Sequence, residues 1–199
     1  MSTLKEIAQQ VRDCRSCPLY RGTKQAVPGV GLSTAKIFLV GQAPGWVEDR
    51  DGKPFLGQAG QFLKAVLKSH GIEGKDVFMS NIVKHYPGRK AGGDNVPPEY
   101  AINACGIHLK NEYEALQPAL IVAVGAVSMK YFGIKGGIRQ NSGKVFQTIW
   151  GPVIPILHPA GLMRRMADTP IFTTQVEAIN TFVRGSLLTP PPYRRVDVV

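Results

Sequence analysis

Four short apolar runs, each separated from the next by a stretch with helical spacing, constrain this chain more than any other feature. They cover residues 36–40, 77–81, 120–124 and 153–157, and each has about the length of a strand buried on both faces. Helical patterns fall at 58–70, 98–116 and 127–132, with another at 171–184 after the last run. A parallel strand can follow another only through a crossover, so this alternation predicts an α/β protein, a three-layer α/β/α sandwich around a central four-stranded parallel sheet. In such a sheet ligands bind beyond the C-terminal ends of the strands. Leu4, Ile7, Ala8 and Val11 share one face of a short helix that precedes the first strand. Residues 1–188 are expected to form a single domain. Residues 189–199, with Pro190, Pro191 and Pro192 ahead of Arg194 and Arg195, cannot continue a helix and predict an extended or disordered basic tail.

Composition narrows the partners. The 199 residues hold 24 Lys and Arg against 14 Asp and Glu, a formal net charge of +10, with 44% hydrophobic and 19% charged residues. That balance supports a folded core and excludes a disordered chain. No apolar run approaches the roughly 20 residues that a membrane span requires, so no membrane partner is expected. The first residues contain Lys5 and Glu6 and no apolar stretch before small residues, which reads as a cytoplasmic protein without a secretory signal. An excess of positive charge on a body this small suits a polyanion, because each phosphate contact releases condensed counterions. Part of the charge lies at Arg89 and Lys90, in a Gly- and Pro-rich segment over residues 86–98 that either closes over a ligand or is mobile.

Three groups of residues just after the expected strands carry chemistry. The first begins Gly41-Gln42-Ala43-Pro44-Gly45 and continues through Glu48, Asp49, Pro54, Phe55 and Gly57 to Gly60. Its glycines permit close approach of backbone to a ligand and its prolines fix turns, but it is neither a P-loop nor a dinucleotide fingerprint. The second is Ser80-Asn81-Ile82-Val83-Lys84-His85, where the Asn81 amide offers one donor and one acceptor, enough to read a base edge. The third is His158-Pro159, followed by Leu162, Met163, Arg164 and Arg165, an apolar wedge flanked by cations. Separately, Cys14 and Cys17 form a Cys-x-x-Cys pair, and Cys105 makes the cysteine count odd. In a reducing compartment this points first to metal ligation. With His85 the set suits either a closed Cys₃His zinc site or a cluster held by three thiolates and an imidazole.

Taken together, in this order and spacing, these motifs resemble the family 4 uracil-DNA glycosylases, the thermophile-type branch that carries an iron-sulfur cluster. The resemblance runs from Cys14 to the loop after His158. It implies a uracil-DNA glycosylase superfamily fold, a [4Fe-4S] cluster in preference to zinc, and uracil-containing DNA, single- or double-stranded, as the partner of a monomer. Carried over by position, Glu48 is the acid that positions or polarises the attacking water, with Asp49 beside it. Phe55 stacks on the flipped uracil. Gly41 and Gln42 line the base pocket, Asn81 pairs with uracil and rejects cytosine, and His158 faces uracil O2. Leu162 to Arg165 brace the gap left in the DNA. Cys14, Cys17, His85 and Cys105 hold the cluster.

The chain departs from the family pattern twice. Gln42 stands where the family has a glutamate, which leaves one carboxylate fewer near the scissile bond. His85 stands where most members have the third cluster cysteine, 20 positions before Cys105. A histidine there resembles the related UdgX-like branch, which attaches covalently to uracil-containing DNA through a further histidine in an Arg-rich loop. No histidine lies between His85 and His108, so no covalent adduct is expected. The reading is a monofunctional glycosylase acting in base excision repair. Its rivals are a uracil-DNA or single-stranded-DNA binding protein of the same fold with little turnover, and a glycosylase for another deaminated or modified base.

Overall fold

The computed structural model describes residues 2–88, 96–164, 169–185 and 194–195. Its centre is a sheet with four parallel strands, β1 (Ile37–Gly41), β2 (Val77–Asn81), β3 (Leu120–Val124) and β5 (Gly151–Ile156). These are the four runs predicted from sequence, each within two residues of its expected bounds. Two short strands widen the sheet beyond the four expected. β4 (Phe146–Thr148) turns back antiparallel against β5, and β6 (Arg194–Arg195) adds in parallel to β4, giving the order β2-β1-β3-β5-β4-β6. Those two tail residues are therefore extended along the sheet.

Strand side chains alternate between faces, and the helices divide accordingly. Phe38 and Val40 of β1 and Ile121 and Ala123 of β3 pack with Ala101, Cys105 and Leu109 of α4 (Glu99–Leu116) and Met129 of α5 (Ala126–Tyr131). Their neighbours Ile37, Leu39, Leu120 and Val122 face Leu63 and Leu67 of α3 (Gln58–Ser69), Leu162 of α7 (Pro159–Arg164), and Phe172 and Val176 of α8 (Thr169–Gly185). This is the expected three-layer sandwich. The N-terminal helix α1 (Leu4–Arg12) lies against α4, its first turn closed by a capping box between Thr3 and Glu6. Two further short helices, α2 (Trp46–Asp51) and α6 (Ile138–Asn141), sit in segments where no helix was expected.

One ion pair is sealed inside this arrangement. Lys84, just beyond β2, and Glu112 of α4 are 0% and 1% exposed, with Nζ 2.7 Å from Oε2. Lys84 Nζ also donates to Ser80 Oγ at 2.7 Å, and Ser80 Oγ donates to Glu112 Oε2 at 2.6 Å. The other Glu112 oxygen accepts the Gly29 N–H at 2.9 Å. Truncating one partner leaves the other charge stranded, at a typical cost of about 3–5 kcal/mol. Glu112→Ala is therefore expected to lower the urea midpoint sharply, whereas Glu73→Ala, in an exposed pair with Lys75, changes stability by less than about 1 kcal/mol.

Candidate active site

The C-terminal ends of all four parallel strands open into one cavity of about 720 Å³. Gly41 closes β1 and is followed by Gln42, Pro44 and Trp46; Asn81 closes β2, Gly125 and Val127 follow β3, and His158 and Gly161 follow β5. The chain order of β2, β1 and β3 places the reversal of winding between β1 and β3, where ligands of open parallel sheets bind. Val96, at the described end of the basic loop, also reaches the wall.

The segment after β1 is held by a single carboxylate. Glu48, in the first turn of α2, accepts the Gly45 N–H on Oε2 at 3.0 Å and the Leu56 and Gly57 N–H groups on Oε1 at 2.9 Å each. It thereby joins the start of the helix to the turn that carries Phe55. Phe55 itself has φ +56°, a left-handed conformation unusual for a non-glycine residue and costly unless its surroundings enforce it. Gly60 packs so closely on the Phe55 backbone that a Cβ would collide with its Cα and carbonyl. Gly41 is constrained in the same way, since a Cβ there would strike Asn81 Oδ1 and lie 3.0 Å from the Phe55 ring. Absence of side chains at 41 and 60 is what lets the phenyl ring and the amide flank one space.

On the opposite wall, His158 leaves β5 and its Nδ1 accepts the Ala160 N–H at 3.2 Å. In the neutral ring that bond puts the proton on Nε2, which makes the other edge a donor. Gly125 lies against the imidazole, with its hypothetical Cβ 3.2 Å from that of His158. Behind, Gln175 of α8 accepts the Leu157 N–H at 2.9 Å and donates to Ser142 Oγ at 3.0 Å, which fixes the strand end next to the histidine.

The cysteines lie away from this cavity. Cys14, Cys17 and Cys105 are buried free thiols, and His85 is buried with Nδ1 lacking a partner. Burial pushes the Cys105 thiol up to about 11; the Lys84 N–H and charge oppose this, while charges on Cys17 and Cys14 add to it. His85 is held below the usual imidazole range by burial first and by the Arg15 charge second. Among the described residues no group of three or more Cys, His, Asp or Glu is arranged to hold a metal ion. The donors nonetheless fit an iron-sulfur cluster in kind, being soft thiolate ligands and an orphaned imidazole nitrogen in a region closed to water.

A family model described as the uracil DNA glycosylase superfamily matches residues 28–182. The chain belongs to this superfamily. Within it, the type-4 uracil-DNA glycosylase of Archaeoglobus fulgidus is 36% identical over 174 residues, covering 83% of this chain and 85% of the relative. That of Thermotoga maritima is 33% identical, covering 89% and 93%, and that of Saccharolobus solfataricus is 38% identical, covering 82% and 78%. With identities of this size over most of both chains, the protein is a member of the type-4 glycosylase family.

Against this glycosylase fold, the sequence-derived site divides in two. Gly41, Gln42, Glu48, Phe55, Asn81 and His158 converge on the cavity. Asp49 does not. Its carboxylate faces the other way and accepts the Lys24 N–H at 3.1 Å and the Gln25 N–H at 3.4 Å, so the catalytic assignment of Asp49 is corrected to an anchor for the segment after the cysteine pair. Leu162 is also corrected, since at 3% exposure it packs into the core and leaves Met163, 46% exposed, at the surface. Arg89, Lys90 and Arg165 lie outside the described residues, as does the side chain of Arg164. Trp46, Gly125, Ile138 and Val127 line the glycosylase cavity without having been singled out. Gly125 carried a readable signal, since it follows its strand as Gly41 and His158 close or follow theirs. Gly60→Ala tests the packing on Phe55: forcing a methyl against backbone is expected to cost about 1–3 kcal/mol in equilibrium unfolding.

Proposed function

We propose that the protein is a monofunctional DNA glycosylase that hydrolyses the N-glycosidic bond of deoxyuridine in DNA, as the first step of base excision repair. The observation that carries this reading is the convergence of Phe55, Asn81 and His158, from three separate strand ends, on one cavity in a member of this superfamily. The names of the type-4 relatives support it. We read it as acting as a monomer. Among the described residues no helix is long and apolar enough to cross a membrane.

In this mechanism a flipped uracil stacks on Phe55 and presents its edge to the Asn81 amide. Uracil offers an acceptor at position 4 and a donor at N3, whereas the exocyclic amine of cytosine would set donor against donor. As the bond from N1 to C1′ breaks, its electron pair passes to the base, and the Nε2 proton of His158 stabilises the negative charge at O2. Water oxygen then bonds to C1′ and releases its proton, leaving neutral sugar and uracil after protonation of the base. Glu48 is the sole carboxylate residue along the cavity among the described residues, and both its oxygens already serve backbone N–H groups. We therefore assign it to positioning Phe55 and to opposing the cationic sugar through its charge, with water oriented by the Gln42 amide. A sugar cation is electrophilic enough to need little base assistance.

Cys14, Cys17, His85 and Cys105 would hold a [4Fe-4S] cluster, which supplies cross-linking between the N-terminal segment, the end of β2 and α4. Such a metal contributes folding energy. Anaerobically purified protein is expected to be brown and to contain iron; a colourless, fully active protein with stoichiometric zinc would overturn this.

The catalytic assignment is tested by single-turnover excision from a uracil oligonucleotide. His158→Ala is expected to slow the step about 10²–10³-fold, the usual effect of losing a preorganised donor. Asn81→Ala should lose both excision and discrimination against cytosine, and Gln42→Glu should match or exceed the parent. Parental rates in the two alanine variants would refute the roles assigned to His158 and Asn81. A parent protein that binds uracil DNA but releases no base would favour the binding-protein reading.

A further inference from the structure

Tryptophan is usually well buried, yet Trp46 is 59% exposed although it stands on the cavity wall. It is the first residue of α2, two positions before Glu48. One helical turn on, the Arg50 guanidinium carbon lies 5.2 Å from the centroid of the indole ring. Arg50 is itself held by both oxygens of Asp51, at 2.6 and 2.7 Å. The cation thus lies over the indole, and no aromatic ring among the described residues stacks on it.

We infer that Trp46 is a stacking platform for the nucleobase adjacent to the uridine turned into the cavity, and that it favours single-stranded DNA. This rests on the reading of the cavity as a uracil pocket. A base entering the cavity drags its neighbours to the rim, one nucleotide away, where the indole stands. The net charge of +10 suits a polyanionic strand at that rim. An indole polarised by a guanidinium offers a flat surface for any base, because every base has a π-face. In a duplex the uridine leaves a gap too, but the neighbouring base stays paired with the opposite strand and its bare face looks into that gap, away from the rim. In a single strand, once the uridine has left the stack, the face next to it is bare and the indole can replace the missing neighbour.

The test uses a 2′-fluoro-deoxyuridine oligonucleotide, which resists cleavage, offered as a single strand and as a duplex to the full chain and to Trp46→Ala and Trp46→Phe. By fluorescence anisotropy of labelled DNA, Trp46→Ala is expected to bind the single strand roughly 5- to 100-fold more weakly, with a smaller loss on the duplex, while Trp46→Phe keeps most of the affinity. The chain has two tryptophans. Trp150→Phe leaves Trp46 as the sole indole, and its emission should be quenched by the single strand. Unchanged single-strand affinity in Trp46→Ala, or unquenched Trp46 emission on saturation, would overturn the platform, and an equal loss on both substrates would overturn the strand preference. Excision of ordinary deoxyuridine by the parent separates the two readings: a parent that excises uracil while Trp46→Ala binds normally refutes the platform alone, and a parent without excision whose Trp46 is quenched refutes the enzyme alone.

Discussion

A lysine sealed beneath a parallel sheet is tolerable only with a counter-charge at hydrogen-bond distance, and the pairing of Lys84 with Glu112 meets that condition. Because Ser80 Oγ and the Gly29 N–H both donate to the Glu112 carboxylate, the pair ties together the end of β2, the middle of α4 and the backbone at Gly29. Two functional regions depend on it. Asn81 follows Ser80 directly, so its amide stands on a strand end that the network holds. Cys105 lies two turns before Glu112 on the same helix, and its sulfur accepts the Lys84 backbone N–H at 3.5 Å. The buried thiols and the base pocket thus share one foundation although they face different parts of the molecule.

The loop after β1 shows a different economy. Left alone, the turn at Phe55 would relax out of its left-handed conformation. Three backbone donors gathered by Glu48 and the backbone packed on Gly60 prevent this, and the phenyl ring is presented rigidly as a result. In the proposed mechanism Glu48 then acts on the developing sugar cation without touching the reacting atoms.

The sheet and most of the long helices were legible because their signals are extended: burial on both faces leaves continuous apolar runs such as Leu120–Val124, and α4 keeps its helical period over five turns. The helix α2 was not, because six residues bounded by glycine are too few to show a period and its flanking prolines read as turns. β4, with three residues, is invisible for the same reason. Within the site, residue types at strand ends pointed to Asn81 and His158, and both line the cavity. The opposite fates of Glu48 and Asp49 were not legible, since adjacent carboxylates on a helix differ only in direction, and direction depends on what packs 25 residues upstream. Lys84 was read as part of a strand-end motif with no role of its own, because its partner is 28 positions away.

The pocket is assembled from four strand ends encoded far apart, and each end supplies a distinct surface: amide, ring, glycine or imidazole. Such a site is modular in heredity even though it is continuous in space. Replacement of residues after β3, where Gly125 and Val127 contribute shape and no charge, would reshape one wall while the groups on the other three stay in register with the sheet. New base specificities can accordingly arise one wall at a time, without passing through a sequence in which His158 is lost.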